Sequence, residues 1–254
     1  MTAEPAYQHL MSELGFVMTQ VGSELVGTAP VIDEMCVPGV PHLRTSILAT
    51  WVDHLAGLLA AQAMSPRVPV TLQLDVDLIA PAPGSGLVRG IGRVLKRGRS
   101  VFFAGVEFDA GDDEVFAVGT GCFMAAPDEA LNLPPKLSLE HAPPAQTLRL
   151  PLARRAGCER LEPGVSALPR SDDGLNSANT VHGGLLALVV EEAMLSLSPG
   201  ATLCSLNLRY LRPVRVGPAV ATARTSAGLG QIEVRDAGNA NRLSVLATAR
   251  LFDR

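Results

Sequence analysis

An internal repeat limits the possible folds of this chain more than any other feature of the sequence. Residues 43–53 align without a gap with residues 181–191, and the aligned segments end with Asp53 over Glu191. Residues 70–81 align with residues 202–213, and both segments end in proline. The alternative is a chance similarity between two apolar helices. Because both segments recur in the same order, with a slightly shorter loop between them in the second copy, we infer a duplication.

Each copy predicts one long helix followed by four strands. The helices, at residues 44–63 and 182–197, are apolar on most faces and must therefore be buried nearly all round. Alternation with a period of two predicts strands in the first copy at 70–79, 87–95, 101–109 and 115–124, and in the second at 202–211, 219–225, 231–235 and 243–251. One helix followed by consecutive strands suits an antiparallel sheet curled around that helix, so we expect an α+β fold.

A proline-rich segment separates the two copies. Residues 127–151 contain Pro134-Pro135 and Pro143-Pro144, and proline lacks the backbone donor that the interior of a sheet requires. We therefore expect residues 1–126 to form an N-terminal unit, residues 127–151 a semi-rigid linker, and residues 152–254 a C-terminal unit.

Composition excludes several classes of function. The 21 Lys and Arg against 25 Asp and Glu give a net charge of −4, which would repel a nucleic-acid backbone. The longest apolar runs, such as residues 185–190, are much shorter than the roughly 20 residues of a membrane span, and the first residues carry no secretory signal. The four cysteines are isolated and form no zinc or disulfide pattern. We expect a cytoplasmic protein with no nucleic-acid partner, no membrane partner and no metal.

The segment before the second helix has the residues of a catalytic site. Asn176 is followed by His182, Gly183 and Gly184 at the helix start, and Glu191 comes nine residues after His182. Glycines in a first helical turn leave N–H groups unshielded at the positive end of the helix dipole, where they can donate to a carbonyl oxygen that gains negative charge. A carboxylate about two turns further along can act as a base or nucleophile on such a carbonyl.

A purely structural interpretation of the same residues is also open. The glycines could simply let the helix and the sheet approach closely, and His182 could be an ordinary buried histidine. Glu191 and Glu192 would then form a solvated helix face.

The pattern Asn-x5-His-Gly-Gly-x6-Glu, followed by a strand ending Tyr210-Leu-Arg-Pro213, resembles the hotdog-fold acyl-CoA thioesterases of the phenylacetate-pathway type. The resemblance implies a tandem (double) hotdog, in which two fused units each wrap an antiparallel sheet around a long central helix and the site lies between the paired units. It also implies that Asn176 and the Gly183 N–H hold the thioester oxygen, that His182 shapes the turn, and that a helix carboxylate activates water or attacks directly. The family's usual glycine three residues before the histidine is Asn179 here, which can also adopt a left-handed backbone.

The two copies depart from the family pattern in complementary ways. The first copy has Arg44-Thr45-Ser46 in place of His-Gly-Gly, and the second has Leu203 where the first has Thr71, a position that carries Ser or Thr near the nucleophilic water in the family. The resemblance therefore implies one complete site across the two copies, with Glu191 as a vestige or a structural group. The residues of that site are Asn176, His182 and Gly183 from the second copy and Asp53 and Thr71 from the first.

These observations predict hydrolysis of an acyl-CoA thioester to the free acid and coenzyme A, without a metal or an organic cofactor. Arg97 and Arg99 lie in a basic cluster that could contact the phosphates of coenzyme A, or could be the solvated end of a hairpin. The rival prediction is a non-catalytic acyl-CoA binding or regulatory module, since duplicated proteins often lose chemistry and keep the pocket. A hydratase is disfavoured because its acid/base motif is not found. Assembly of double-hotdog units into a homo-oligomer is left open.

Overall fold

The computed structural model of the protein describes residues 9–134 and 147–252. Residues 135–146, which include Pro135, Pro143 and Pro144 of the predicted linker, lie outside the described residues. The linker prediction is therefore only partly within the described chain, and the domain boundaries at 126 and 152 stay predictions.

Two long helices form the centre of the molecule, as the sequence predicts. They are α1 (Thr45–Met64) and α3 (Gly183–Leu197), and a short helix, α2 (Leu152–Arg155), lies between them in the chain. Among the described residues α1 is the one helix long and apolar enough to cross a membrane. In this fold 61% of that apolar window is buried inside the protein, as expected for a core helix.

Within residues 9–134 and 147–252, twelve strands surround these helices. In the first half of the chain they are β1 (Val17–Val21), β2 (Glu24–Val31), β3 (Pro69–Leu78), β4 (Gly86–Arg97), β5 (Phe102–Asp109) and β6 (Val115–Ala125). In the second half they are β7 (Glu159–Glu162), β8 (Val165–Leu168), β9 (Leu203–Tyr210), β10 (Ala219–Ser226), β11 (Leu229–Asp236) and β12 (Arg242–Leu251). The eight strands predicted after the helices are confirmed. The sequence analysis missed β1, β2, β7 and β8. The four-residue β7 is exposed at every position and carries no periodic signal, whereas the eight-residue β2 has Gly27 and Ala29 at buried positions, which weakens its hydrophobic alternation.

The strands form a single antiparallel sheet in the order β1-β2-β4-β5-β6-β3-β9-β12-β11-β10-β8-β7. Each half has the same order when it is followed outward from the centre, where β3 pairs with β9. Backbone pairing between β3 and β9 joins the antiparallel sheets of the two units into one continuous sheet. The α+β fold of two fused hotdog units is confirmed, with α1 packed on the first half of the sheet and α3 on the second.

The register of β3 on β9 agrees with the repeat found in the sequence. Asp75 lies opposite Asn207, the residue that the repeat aligns with it. In an antiparallel pair related by a two-fold axis, equivalent residues lie opposite each other only at the axis. The two units are therefore related by a pseudo-two-fold axis near Asp75 and Asn207, and every feature at the start of one helix has a counterpart at the start of the other.

Candidate active site

The pseudo-symmetry creates two equivalent places where the N-terminus of one long helix meets the middle of the other. At the first, which we name the Asp53 position, Asp53 of α1 faces the N-terminus of α3. A Cβ atom built on Gly183 would lie 3.3 Å from Asp53 Oδ2. At the second, named the Glu191 position, Glu191 of α3 faces the N-terminus of α1 and accepts a hydrogen bond from the Thr45 N–H. The two places differ in what the carboxylate does.

At the Asp53 position Asp53 and Thr71 of the first unit meet His182 and Gly183 of the second. His182 caps α3, and its Nδ1 accepts a hydrogen bond of 3.0 Å from the Gly184 N–H. This bond leaves the proton of the neutral ring on Nε2, which lies 3.9 Å from Asp53 Oδ2. Thr71 Oγ1 donates to Asp53 Oδ1 at 2.9 Å. The Gly183 N–H, in the first turn of α3, donates to no acceptor among the described residues.

The electrostatics of the Asp53 position favour an ionised carboxylate beside a neutral imidazole. Burial raises the pKa of Asp53 to about 6, and the hydrogen bond from Thr71 opposes this rise. Burial, together with His54 and His9, lowers the pKa of His182 well below its usual range. Near neutral pH the site therefore presents a negatively charged base next to the N-terminus of a helix, an arrangement suited to attack on a carbonyl group.

Two further histidines complete the surroundings, and the sequence analysis assigned neither of them a role. The ring of His54 lies 5.5 Å from that of His182, and the ring of His9 lies 5.8 Å from it, measured between centroids. His9 Nε2 also lies 2.5 Å from the Leu175 carbonyl oxygen in the loop before α3. The position of His54 next to Asp53 was a usable signal, whereas nothing in the sequence marked His9.

Asn176 organises the loop that leads into α3. Its Oδ1 accepts hydrogen bonds from Ala178 N, Thr180 N and Thr180 Oγ1 at 3.0, 3.2 and 3.1 Å. The oxygen of this side chain is thus committed to the loop, and Nδ2 is its remaining hydrogen-bond donor. Asn179 has a φ of 56°, so it does adopt the left-handed backbone expected of it.

At the Glu191 position the carboxylate occupies the helix N-terminus itself. Glu191 is fully buried, and its Oε1 accepts from Thr45 N at 2.9 Å and from Ser46 N at 3.4 Å. Its Oε2 accepts from Ser46 Oγ at 2.7 Å and from Arg44 Nη1 at 3.1 Å. The interpretation of Glu191 and Glu192 as a solvated face is therefore wrong, because both side chains are buried and Arg44 Nη1 also lies 2.7 Å from Glu192 Oε1.

The basic pair Arg97 and Arg99 lies away from both positions. Arg97 Nη2 donates to the Ala63 carbonyl oxygen at 2.8 Å, at the C-terminal end of α1, and Arg99 follows on the exposed turn between β4 and β5. Ala63 is ten residues beyond Asp53, or about 15 Å along a helix that rises 1.5 Å per residue. The structure does not bring these arginines to the Asp53 cluster.

Comparisons with known proteins agree with this architecture. Residues 45–117 match the family model of the thioesterase superfamily. The acyl-ACP thioesterase from Bacteroides thetaiotaomicron has a similar structure, with a TM-score of 0.61, 12% identity and coverage of 89% of this chain and 97% of that one. The 12:0-ACP thioesterase from Umbellularia californica gives a TM-score of 0.67, 11% identity and coverage of 93% and 100%. None of the curated protein sequences compared matches the chain. The chain therefore has the hotdog fold of these thioesterases, and its residues 45–117 are similar to the thioesterase superfamily model.

Proposed function

We propose that this protein hydrolyses acyl-CoA thioesters, as a tandem hotdog enzyme of the phenylacetate-pathway type with one working site. The observation that carries the proposal is the meeting of Asp53, from one unit, with Gly183 and His182 at the helix N-terminus of the other. It joins a carboxylate of raised pKa to an N–H group at the positive end of a helix.

In this mechanism the thioester carbonyl oxygen accepts hydrogen bonds from the Gly183 N–H and from Asn176 Nδ2, which stabilise the charge that develops on it. Asp53 takes a proton from water as the water oxygen bonds to the carbonyl carbon, or attacks that carbon directly, in which case water hydrolyses the mixed anhydride that remains after the thiolate has left. Thr71 keeps the carboxylate oriented through its 2.9 Å hydrogen bond and can contact the same water. The carbon–sulfur bond then breaks, and coenzyme A leaves as a thiolate. A thiol is far more acidic than an alcohol, with a pKa of about 8.5 for the cysteine side chain, so a thiolate leaves without a strong acid.

The hydrogen-bond partners of the two carboxylates support Asp53, and not Glu191, as the catalytic carboxylate. Glu191 already accepts four hydrogen bonds, and two of them come from the N–H groups that a carbonyl oxygen would need. Asp53 is one methylene shorter, and it accepts a hydrogen bond from Thr71 instead of from the helix N-terminus. Glu191 is on this ground a structural group.

The test is release of free thiol from a panel of medium-chain and aryl acyl-CoAs, with and without a chelator. We expect turnover that the chelator does not change. Asp53→Asn should lower kcat by about 10²- to 10⁴-fold, the usual contribution of a general base. Glu191→Gln, the matched control, should keep turnover within a few-fold, because the amide oxygen can still accept from Thr45 N.

The other possible results of this experiment would favour a different catalytic carboxylate, a binding role or a different acyl carrier. Loss of turnover in Glu191→Gln with retention in Asp53→Asn would return the carboxylate role to Glu191. No turnover in the wild type, with tight binding of a non-hydrolysable acyl-CoA analogue, would favour the binding module. If the same acyl groups are hydrolysed faster when they are attached to acyl carrier protein, the preferred carrier is acyl carrier protein and not coenzyme A.

A further inference from the structure

Tyr210 reaches the Asp53 position from strand β9. Its hydroxyl donates to the Gly183 carbonyl oxygen at 2.9 Å and lies 3.3 Å from the point where a Cβ of Gly183 would stand. Asp53 Oδ2 lies at the same distance from that point. The phenol and the carboxylate are therefore at most twice this distance apart and face the same small space in front of α3.

Resting on the function proposed above, we propose that Tyr210 is a positioning residue of the oxyanion site. Its hydroxyl holds the first turn of α3 in place, so that the Gly183 N–H meets the substrate carbonyl at the correct distance from Asp53.

The loop after Tyr210 strengthens the same attachment. The Val214 carbonyl oxygen accepts from Val181 N at 3.0 Å, two residues before Gly183. Tyr210 at the end of β9 and Val214 in the loop after it thus hold the start of α3 at two points, one on each side of His182. A bond on the side-chain hydroxyl adds a fixed direction to the Gly183 peptide that backbone pairing alone does not supply.

The pseudo-symmetry argues against a general packing role for this hydroxyl. The repeat aligns Tyr210 with Leu78 in the first unit, and leucine has no group to bond the start of α1. The first unit nevertheless forms the same strand and helix. The tyrosine therefore occurs only in the unit whose helix N-terminus has an N–H group left for a ligand, and that distribution fits a role in the reaction.

The hydroxyl also stays a donor at every pH at which the protein would work. Burial and the nearby charge of Asp53 raise the pKa of Tyr210 well above its usual range. A neutral phenol can donate to the Gly183 carbonyl oxygen, whereas a phenolate could not.

The experiment compares two variants that each remove one hydroxyl-to-carbonyl bond between a strand and α3. Tyr210→Phe removes the bond to Gly183. Ser166→Ala removes the 2.7 Å bond from the fully buried Ser166 Oγ of β8 to the Val189 carbonyl oxygen, further along α3. We expect Tyr210→Phe to lower kcat on the order of 10-fold or more with little change in KM, because a misplaced donor acts mainly on the transition state. Ser166→Ala should change thermal stability and leave kcat unchanged.

Two further measurements separate positioning from other roles. Combining Tyr210→Phe with Gly183→Ala should cost less than the product of the two single losses in kcat, because both act on one donor. The pH at which turnover falls to half its maximum on the acid side should be the same in Tyr210→Phe as in the wild type. A shift of that pH would mean that Tyr210 acts on Asp53, and wild-type kcat in Tyr210→Phe, or a loss matched by Ser166→Ala, would also overturn the inference. Absence of turnover in the wild type would instead overturn the proposed function, and this inference with it.

Discussion

A difference of one methylene group separates Asp53 from Glu191. The longer side chain reaches across to the opposite helix and accepts from Thr45 N and Ser46 N, so its charge is neutralised by buried partners. The shorter one stops before the opposite helix, and Asp53 Oδ2 is 3.9 Å from His182 Nε2. Glu191 therefore accepts from the N–H groups at the start of α1, whereas the Gly183 N–H at the start of α3 is available to a ligand.

The raised pKa of Asp53 predicts the pH dependence of turnover. The carboxylate acts as a base only when ionised, so kcat/KM should rise with pH, reach half its maximum near pH 6, and level off above this value. Thr71→Val removes the hydrogen bond that lowers the pKa of Asp53, so the rise should move to higher pH. The measurement is kcat/KM against pH, which reports the pKa of the carboxylate in the free enzyme. A midpoint near the ordinary aspartate pKa of about 4 in the wild type would contradict the burial of the working carboxylate.

The two adjacent glycines at the start of α3 should respond differently to alanine. At Gly183 a Cβ would stand 3.3 Å from Asp53 Oδ2 and from the Tyr210 hydroxyl, in the space of the reacting carbonyl. Gly183→Ala should therefore lower kcat by about 10²-fold, as when one oxyanion donor is lost, while the fold is kept. At Gly184 a Cβ would clash with Thr50 Oγ1 of α1, so Gly184→Ala should destabilise the protein by about 1–3 kcal/mol through overpacking.

Steady-state kinetics and denaturant unfolding of both glycine variants check this contrast. Thr50→Ala combined with Gly184→Ala should recover part of the lost stability, because it removes the clashing hydroxyl. Normal turnover in Gly183→Ala would exclude the Gly183 N–H as an oxyanion donor. The structural interpretation of the glycines is thus expected to hold for Gly184, and the functional one for Gly183.

At the scale of elements, the N-terminus of α1 is held by a buried ionic cluster. Arg44 is fully buried between Glu191 and Glu192, and Arg160 pairs with Glu192 at 2.6 Å. Two of the Arg44 nitrogens, Nε and Nη2, have no hydrogen-bond partner in the described structure. Such a cluster depends on all its members, because removal of one leaves a buried charge poorly compensated.

Glu191→Ala should therefore lower the free energy of unfolding by about 3–5 kcal/mol, since it leaves Arg44 with Glu192 as its remaining carboxylate. Folded Glu191→Ala should still turn over substrate, because the Asp53 position is intact. The exposed pair of Glu233 with Arg235 provides the control, and Glu233→Ala should change stability by less than about 1 kcal/mol. Denaturant unfolding measures both, and equal small effects would show that the buried cluster contributes nothing to stability.

The elements differ in how far the sequence predicts them. Helix α1 and strand β12 are long and strongly patterned, so their positions follow from local hydrophobic periodicity. The continuity of the sheet does not follow from local periodicity, because the pairing of β3 with β9 depends on the docking of two units. The neighbourhood of Asp53 and Gly183 was predictable only through the repeat and a family resemblance. The burial of Glu191 was not, since its partner Arg44 is 147 residues away in the chain and no local pattern joins them.

At the scale of the whole molecule, the segments that enter each unit also meet each other. The buried Glu13 accepts from Arg155 of α2, and Arg155 Nη2 also bonds Asp173 Oδ2 at 2.8 Å, just before the loop that carries Asn176. His9 reaches the same loop at Leu175. The start of the first unit thus supports the loop of the second that leads to His182, in addition to the contact made through the sheet.

The covalent connection between the two units has a consequence for the Asp53 position. In a dimer of separate chains, a site built from both partners disappears when the solution is diluted below the dissociation constant. Here the effective concentration of Asp53 relative to Gly183 is set by the tether and the fold, so dilution cannot separate them. Fusion also allows one helix end to change while its counterpart stays fixed, a freedom that a pair of identical chains, which must carry every substitution twice, does not have.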